Sequence, residues 1–478
     1  MADEFAFLDA TAQADLVHSG EVTPVELVEA AIGRIEAIDP QLNAVIHRRF
    51  DRAREESAAD GLPRGPFRGV PFLVKDVVCH TAGDPFHCGT RFLKEAGFHE
   101  QRDSELARRF RAAGFVFVGK TNTPEFALSA VTEPLAYGPA RNPWDTQRSP
   151  GGSSGGSGAA VAAGLAPVAH GNDMGGSIRI PAACCGLVGL KPTRARNSLG
   201  PDFGEYWGPM THEHVLTRSV RDTAAVLDAT AGPAVGDPYQ APPPGRPWRE
   251  EVGIDPGSLR IGLRTHAGGE VAVDAECVQA AESTAALLQD LGHRVEQVAL
   301  EALEGPGLEG FGVLTAATVA RDLDRWEQRL GRAIADDEVE PMNGSLREQG
   351  RRLRATDYVA AVERIHAYAR TVAAWWESGW DLLVTPTSAL LPPPVGRLGP
   401  LADPAELLPG LGAFTAFTTP FNATGQPAIS LPMGTSAEGL PVGVQLVAAT
   451  GREDLLIRVA SQLEQARPWS DRRPPVHA

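Results

Sequence analysis

The sequence predicts an α/β protein with a central mixed β-sheet that is covered by helices on both faces. Short apolar runs rich in β-branched and aromatic residues alternate with helical patterns, as in residues 69–78, 105–114 and 115–122. The chain has 478 residues, 43% of them hydrophobic, which is enough for a large buried core. A Pro/Gly-rich stretch over 232–248 is typical of a surface connection between two sets of such elements.

The first clear element is a helix that begins after Thr23. Thr23 is a favoured N-cap residue, Pro24 suits the first helical position and Glu26 can close a capping box. Apolar residues then recur at helical spacing until Pro40, where we expect the helix to end. The start of the chain is therefore predicted to be ordered.

Strands and helices alternate again after the Pro/Gly-rich stretch. The predicted strands are 258–266, 293–300, 381–387, 428–434 and 439–449. The predicted helices are 275–292, most of 310–380, and 453–466.

Charge and composition argue against nucleic-acid and membrane partners. There are 44 Lys and Arg against 60 Asp and Glu, a formal net charge of −16, and no basic stripe interleaved with aromatic residues. No apolar run approaches the roughly 18 residues of a membrane span. The first residues are acidic and amphipathic, whereas a secretory signal is basic and then apolar. We therefore expect a cytoplasmic protein.

The cysteine pattern indicates reduced thiols. The five cysteines are odd in number and two are adjacent, which fits neither a disulfide framework nor paired CxxC metal-binding motifs. They are Cys79, Cys88, Cys184, Cys185 and Cys277. We expect several of them to be buried and no metal to be bound.

The stretch "SPGGSSGGSG", residues 149–158, has the composition of a flexible linker. It runs directly into a small-residue segment, 159–171, which we predict to be a tightly packed helix, and a second glycine-rich turn follows in "DMGGSIR". Two glycine turns joined by one helix can bring backbone amides against a ligand. The stretch is therefore predicted to be part of a site.

Two chemistries that use glycines near serine fit poorly. A phosphate-binding loop needs a Lys and a hydroxyl residue after its last glycine, and neither turn has them. Residues 151–155 match the G-x-S-x-G of α/β-hydrolases, but residues 141–150 before them contain two prolines and no strand pattern. His170 lies among small residues and is predicted to be structural.

A serine with a lysine base is the third chemistry. Lys75 lies inside the apolar run 69–78, where an ammonium group is costly to bury. It is either paired with a carboxylate such as Asp76 or held neutral by a lowered pKa, and a neutral lysine can act as a base. From this segment alone the ion pair is favoured.

Several long motifs together resemble the amidase signature family. They are "GVPFLVKDV" around Lys75, "GKTNTPEFA" (119–127), "NPWDTQRSPGGSSGGS" (142–157), "HGNDMGGSIRIPAACCGLVGLKPT" (170–193) and "GLPVGVQLVAATGREDLL" (439–456). The resemblance runs in order from about residue 65 to 460. It implies an amidase signature catalytic domain over 65–478, an N-terminal helical segment over 1–64 packed on it, and a variable pocket region over about 200–420.

The resemblance also implies a catalytic triad. Ser177 matches the nucleophile, Ser153 the bridging serine whose preceding peptide bond is cis, and Lys75 the base. A serine hydroxyl needs such a positioned base at neutral pH. The implied oxyanion hole consists of the backbone N–H groups of Met174, Gly175, Gly176 and Ser177. The implied supporting residues are Ser154, Asp173 and Arg179.

The implied function is hydrolysis of a small-molecule carboxamide through a serine acyl-enzyme, without metal or organic cofactor. Sequence segments such as "WWESGWDLL" and "FNATGQPAISLPMG" are similar to those of the 6-aminohexanoate cyclic dimer hydrolase group. Nylon-oligomer-like amides, anilides, carbamates (urethanase activity) and esters are the candidate substrates, and the sequence leaves a homodimer open. The alternatives are the amidase subunit of a tRNA-dependent amidotransferase, from which Ile180 departs, and a catalytically inactive binding subunit.

The pocket walls are predicted from the variable region. Residues 200–210, 310–318 and 414–428 offer aromatic and small apolar side chains. We expect Phe203, Trp207 and Phe414 to line the substrate pocket.

Overall fold

A computed structural model describes residues 4–304 and 308–478 of the chain. Within them, eleven strands form one sheet. The strands are β1 Val45–Arg48, β2 Pro71–Lys75, β3 Val116–Thr121, β4 Val168–Asp173, β5 Val188–Lys191, β6 His212–Thr217, β7 Arg260–Leu263, β8 Arg294–Gln297, β9 Leu382–Pro386, β10 Ala428–Thr435 and β11 Pro441–Ala448.

The sheet is mixed, as predicted. Its strand order is β1-β3-β2-β4-β6-β5-β10-β11-β9-β7-β8. Strand β2 is parallel to β3 and β4, and β7 is parallel to β8 and β9. The other neighbouring strands pair antiparallel.

Helices surround this sheet. They are α1 Ala10–Ser19, α2 Pro24–Leu42, α3 Phe50–Ala58, α4 Arg91–Glu95, α5 Glu105–Ala112, α6 Gly155–Ala162, α7 Arg179–Cys185, α8 Val220–Thr230, α9 Ala275–Asp290, α10 Glu309–Leu330, α11 Pro341–Arg352, α12 Ala355–Glu377, α13 Pro404–Thr415, α14 Thr419–Thr424 and α15 Glu453–Ala466. In the described ranges, none of them is long and apolar enough to cross a membrane.

Both faces of the sheet are covered by helices. Along β11, Val444 and Leu446 belong to a buried apolar cluster that includes α9 and α15. Val447, next along the same strand, belongs to a second cluster that includes α10, α12 and α14. Successive side chains of a strand point to opposite faces, so the two clusters lie on opposite sides of the sheet. The predicted fold class is confirmed.

The N-terminal segment contains the predicted helix and also a strand. The Thr23 hydroxyl accepts a hydrogen bond from the Glu26 N–H, and the Glu26 carboxylate accepts one from the Thr23 N–H. Helix α2 continues past Pro40 to Leu42, so the expected end at Pro40 is wrong by two residues. Strand β1 pairs with β3, and the segment 1–64 therefore joins the sheet in addition to packing on it.

The segment 159–171 is a helix followed by a strand, which corrects the prediction of one helix. Helix α6 ends at Ala162, Gly164 adopts a φ of 78°, and β4 begins at Val168. The strand was missed because Ala169 and Gly171 are small residues with little β-propensity. This strand is central to the sheet and carries Asn172 and Asp173 at its end.

Candidate active site

The two glycine turns lie near the carboxyl ends of neighbouring parallel strands. Strand β2 ends at Lys75 and β4 ends at Asp173. The turn 174–177 connects β4 to α7, and Ser153 and Ser154 immediately precede α6. The carboxyl ends of strands in an α/β sheet are where ligand sites commonly form. The fold thus brings segments 75, 153–154 and 172–177 together.

Lys75 is completely buried and surrounded by polar oxygens. Its Nζ lies 2.7 Å from Ser153 Oγ, 2.9 Å from Ser154 Oγ and 2.6 Å from Asn172 Oδ1. Burial lowers the pKa of Lys75 to about 7, although the carboxylates of Glu213 and Asp173 act in the opposite direction. A large fraction of this lysine is therefore neutral near neutral pH.

Asp76 is not the partner of Lys75, which corrects the favoured ion pair. The Asp76 carboxylate lies 2.8 Å from Lys120 Nζ and 3.4 Å from His47 Nε2. Burial disfavours its charge, yet Lys120 holds the pKa of Asp76 well below its usual range. Successive residues at a strand end point to opposite faces, so Lys75 and Asp76 meet different neighbours.

The first glycine turn holds Ser153 beside Lys75. The peptide bond between Gly152 and Ser153 is cis. A Cβ on Gly152 would lie 2.7 Å from backbone atoms of Val131, so no larger residue fits there. The Thr132 hydroxyl donates to the Gly151 carbonyl at 3.0 Å and accepts from the Gly155 N–H at 3.1 Å. The turn is thus packed against Val131 and hydrogen-bonded to Thr132.

The second turn is supported by a buried ion pair. Arg179 Nη2 and Nε lie 2.8 Å and 2.9 Å from the two carboxylate oxygens of Asp173. Burial disfavours the charge of Asp173, but Arg179 keeps its pKa well below the usual range. The same carboxylate accepts the Ile178 N–H at 3.2 Å. Asp173 therefore ties the end of β4 to the start of α7 across the turn.

The turn itself presents backbone donors and a free hydroxyl. Within residues 4–304 and 308–478, no protein group accepts a hydrogen bond from the N–H groups of Gly175, Gly176 or Ser177, and the Ser177 hydroxyl has no partner either. Ser177 is 8% exposed. Gly176 adopts a φ of 142°, and a Cβ there would lie 2.4 Å from Thr418 Oγ1. These groups can therefore bind a ligand oxygen.

A cavity of about 860 Å³ opens above the two turns. Gly152, Met174, Gly175 and Ser177 form its polar end, and helices α10, α11 and α13 supply much of the remainder. Among the described lining residues there is no Asp, Glu, Lys, Arg or His. The cavity therefore suits an uncharged ligand.

Only one of the three predicted pocket residues lines this cavity. Trp207 does. Phe203 instead packs on Tyr206, with 4.6 Å between ring centroids, and lies 4.9 Å from the Arg325 guanidinium carbon. Phe414 is fully buried in the apolar core. The predictions for Phe203 and Phe414 are therefore corrected, because both rings are used for packing.

The predicted segments 310–318 and 414–428 do contribute to the wall. Their lining residues are Phe311, Gly312, Thr315, Thr415, Ala416, Thr419 and Pro420. Sequence reasoning missed the contribution of α11 and most of α13, which includes Leu346, Leu407 and Leu411. Their helical apolar pattern is the same as that of core helices, so it carries no signal for a pocket.

The polar support of the site was also partly missed. Asn172 precedes Asp173 at the end of β4, a strand whose first residues lie in the segment predicted to be a helix. Asn422 Nδ2 donates to the backbone carbonyl and to the carboxylate of Asp173, each at 2.8 Å, across 249 residues of chain. His170 contacts Glu213 at 2.5 Å in the core and matches its predicted structural role.

The cysteines are thiols without disulfide partners. All five cysteines are buried and free, as the sequence predicts. In the part of the chain that the structure describes, no group of three or more His, Cys, Asp or Glu residues could hold a metal ion.

Comparison with known proteins identifies the family. A model of the amidase family, described as Amidase, matches residues 26–457. The chain belongs to the amidase family. This amidase is 47% identical to the 6-aminohexanoate-cyclic-dimer hydrolase of Paenarthrobacter ureafaciens, over 98% of this chain and 96% of that protein. Family and relatives agree that it is a hydrolase of amide carbon–nitrogen bonds.

Solved structures agree with the fold of the amidase. A 6-aminohexanoate cyclic dimer hydrolase complexed with substrate matches with a TM-score of 0.95 and 46% identity, covering 99% of this chain and 100% of that one. A bacterial aryl acylamidase of the amidase signature family matches with a TM-score of 0.88 and 28% identity, covering 97% of both chains. The family resemblance inferred from the motifs is confirmed.

Proposed function

We propose that this amidase cleaves a neutral, largely apolar carboxamide through an acyl-enzyme on Ser177, with Lys75 as the base and Ser153 as the proton relay. The observation that carries the proposal is the fully buried Lys75, 2.7 Å from Ser153 and paired with no carboxylate among the residues described. Ser177 lies at the polar end of the uncharged cavity.

The hydrogen-bond partners of Lys75 favour a neutral lysine that acts as a base. A neutral amine has two N–H donors and one lone pair. Asn172 Oδ1 can only accept, and the Ser154 hydroxyl donates to the Asn172 carbonyl, so both accept from Lys75. The lone pair of Nζ is then left for the Ser153 hydroxyl. Ser153 can give its proton to Lys75 while it takes one from the nucleophile.

The proposed acyl transfer uses these groups in turn. Ser177 Oγ attacks the substrate carbonyl carbon while its proton moves through Ser153 to Lys75. The amides of the 174–177 turn stabilise the oxyanion, and one such donor contributes about 2.7 to 4 kcal/mol. The proton returns to the leaving nitrogen, and water then hydrolyses the ester on Ser177. Asp173, Arg179 and Ser154 hold the participating groups in place.

The cavity supports a substrate class. Its described lining lacks ionisable side chains, and its volume of about 860 Å³ accommodates a drug-sized or oligomeric molecule. The names of the relatives point to a cyclic amide dimer and to aryl amides. We therefore propose cyclic or N-aryl amides of this kind, with esters and carbamates as slower substrates of the same acyl transfer.

The amidotransferase alternative is less well supported. Glutamine carries an ammonium and a carboxylate, and burying either without a partner is costly. Ile180, which replaces the residue expected for such subunits, lines the cavity as an apolar group. A stand-alone amidase is therefore the better proposal.

A labelling and hydrolysis experiment tests the proposal. The wild-type protein and Ser177→Ala are treated with a fluorophosphonate, and each is assayed on the 6-aminohexanoate cyclic dimer, an anilide, a carbamate, an ester and glutamine. We expect labelling of Ser177 and hydrolysis of at least one neutral amide, both lost in the variant. Unlabelled and inactive wild-type protein would support a binding subunit instead, and preferential hydrolysis of glutamine would support the amidotransferase subunit.

A further inference from the structure

We infer that Thr418 is a positioning residue that fixes the oxyanion hole by holding the peptide between Gly175 and Gly176. The inference rests on the proposed function, because it concerns the donors that would bind the oxyanion. Thr418 immediately precedes α14, is fully buried, and is not among the residues that line the cavity. Its side chain therefore does not line the cavity but contacts the turn that does.

The carbonyl of Gly175 is held by two hydroxyl groups. Thr418 Oγ1 lies 2.6 Å from this oxygen and Thr419 Oγ1 lies 3.1 Å from it. A carbonyl oxygen has two lone pairs, so it can accept both hydrogen bonds. Thr418 Oγ1 is also 3.1 Å from the Thr415 carbonyl, but its single proton favours the shorter contact.

Fixing this carbonyl fixes the next amide. The peptide bond between Gly175 and Gly176 is trans, so the Gly176 N–H points away from the two threonine hydroxyls. No protein group in the described ranges accepts a hydrogen bond from that N–H, and the flanking residues Gly175 and Ser177 both line the cavity. The hydroxyl of Thr418 thus determines the direction of an uncommitted donor beside the nucleophile.

The turn is flexible by composition and needs such a restraint. Gly176 has a φ of 142°, and Thr418 Oγ1 occupies the space that a Cβ would need. Thr418 is itself anchored, because its carbonyl accepts from Arg179 Nη1 at 3.0 Å. Arg179 in turn pairs with Asp173. One connected set of contacts therefore aligns both sides of the glycine turn.

The test compares an amide substrate with its thioamide counterpart. Sulfur is the weaker hydrogen-bond acceptor, so rates on the thioamide depend less on a well-placed oxyanion donor. We expect Thr418→Val to lower kcat on the amide by on the order of tenfold with little change in KM, less than the 10²- to 10³-fold cost of losing a whole donor. The thioamide rate should fall less, so the amide-to-thioamide ratio should shrink.

Three further variants make the result specific. Thr418→Ser keeps the hydroxyl and should restore the wild-type ratio. Thr419→Val removes the second donor and should shrink the ratio, which also provides the test if Thr418→Val does not fold. Thr424→Val is the matched control on α14, since its hydroxyl has no partner in the described part of the chain.

The outcomes separate the two proposals. An unchanged amide-to-thioamide ratio in a folded Thr418→Val, or equal ratios for Thr418→Val and Thr418→Ser, would overturn the inference while leaving the active amidase intact. Wild-type protein without a reactive Ser177 would overturn the proposed function itself. Thermal unfolding of each variant distinguishes loss of fold from loss of alignment.

Discussion

The floor and the wall of the cavity are built in different ways. The polar floor is the network of Lys75, Ser153, Asp173 and Arg179, together with Ser177, the one member of this set that lines the cavity. Lys75 and Asp173 are the last residues of β2 and β4, and contacts of 2.7 to 2.9 Å join Lys75 to Ser153 and Asp173 to Arg179. The apolar wall is formed mainly by α10, α11, α13 and the residues just before α13, and two of its lining leucines, Leu401 and Leu408, are 75% and 63% exposed.

This difference assigns chemistry and substrate choice to separate parts of the chain. A buried polar network requires nearly every partner, because an unsatisfied group at low dielectric is costly. An apolar wall tolerates changes in size and shape with smaller effects. We therefore expect the floor to control the rate for all substrates and the wall to control which amide is preferred.

Removal of the proposed base, Lys75, should lower the rate more than removal of Ser153 or a change in the wall. Lys75→Met should lower kcat by about 10³- to 10⁴-fold, because Ser177 then lacks its proton acceptor. In the proposed mechanism the active form of the wild type has a neutral Lys75, so kcat/KM should rise with pH through about 7. A pH–rate profile of the wild type and of Lys75→Met measures the loss of kcat and the pH dependence of kcat/KM. The rise near pH 7 should be absent in the variant.

Lys120 is the matched control for that experiment. It is also a buried strand lysine, but it pairs with Asp76 at 2.8 Å. Lys120→Met should reduce stability, since a buried carboxylate loses its partner, and should leave the rise near pH 7 in place. If Lys75→Met kept near wild-type turnover, Lys75 would be a structural lysine.

Removal of the relay should have a smaller effect. Ser153→Ala should lower kcat by about 10²- to 10³-fold and leave a measurable residual rate, because the nucleophile and the backbone donors remain. Mass spectrometry of a slowly hydrolysed ester should still find the acyl group on Ser177. An acyl group on Ser153 in the wild type would reverse the roles of the two serines.

Changes in the wall should have the smallest and most selective effect. Leu411→Ala enlarges the cavity, and it should shift the ratio of kcat/KM between a bulky and a small amide by about 10- to 200-fold. Phe414→Leu, on the same helix but in the core, should lower the unfolding temperature and change all substrates in parallel. Equal effects of Leu411→Ala on all amides would place the pocket elsewhere.

The features that the sequence determined by itself are local ones. The capping box of Thr23 and Glu26 involves residues three apart, and it is formed as predicted. The glycine turns and the strand around Lys75 also occur within short segments whose composition restricts the backbone. Motif order then identified the family without any long-range information.

Only the tertiary structure decided the pairing of distant side chains. Whether Lys75 meets Asp76 or Ser153 depended on which face of β2 each residue occupies, and the hydroxyls of Thr418 and Thr419 reach Gly175 across more than 240 residues. Trp207 lines the cavity while Phe414 fills the core, although both are large aromatic residues. An apolar sequence pattern indicates that a side chain is removed from water, but it does not indicate which groups the side chain contacts. Packing in a core and packing in a pocket wall both favour apolar residues for the same reason.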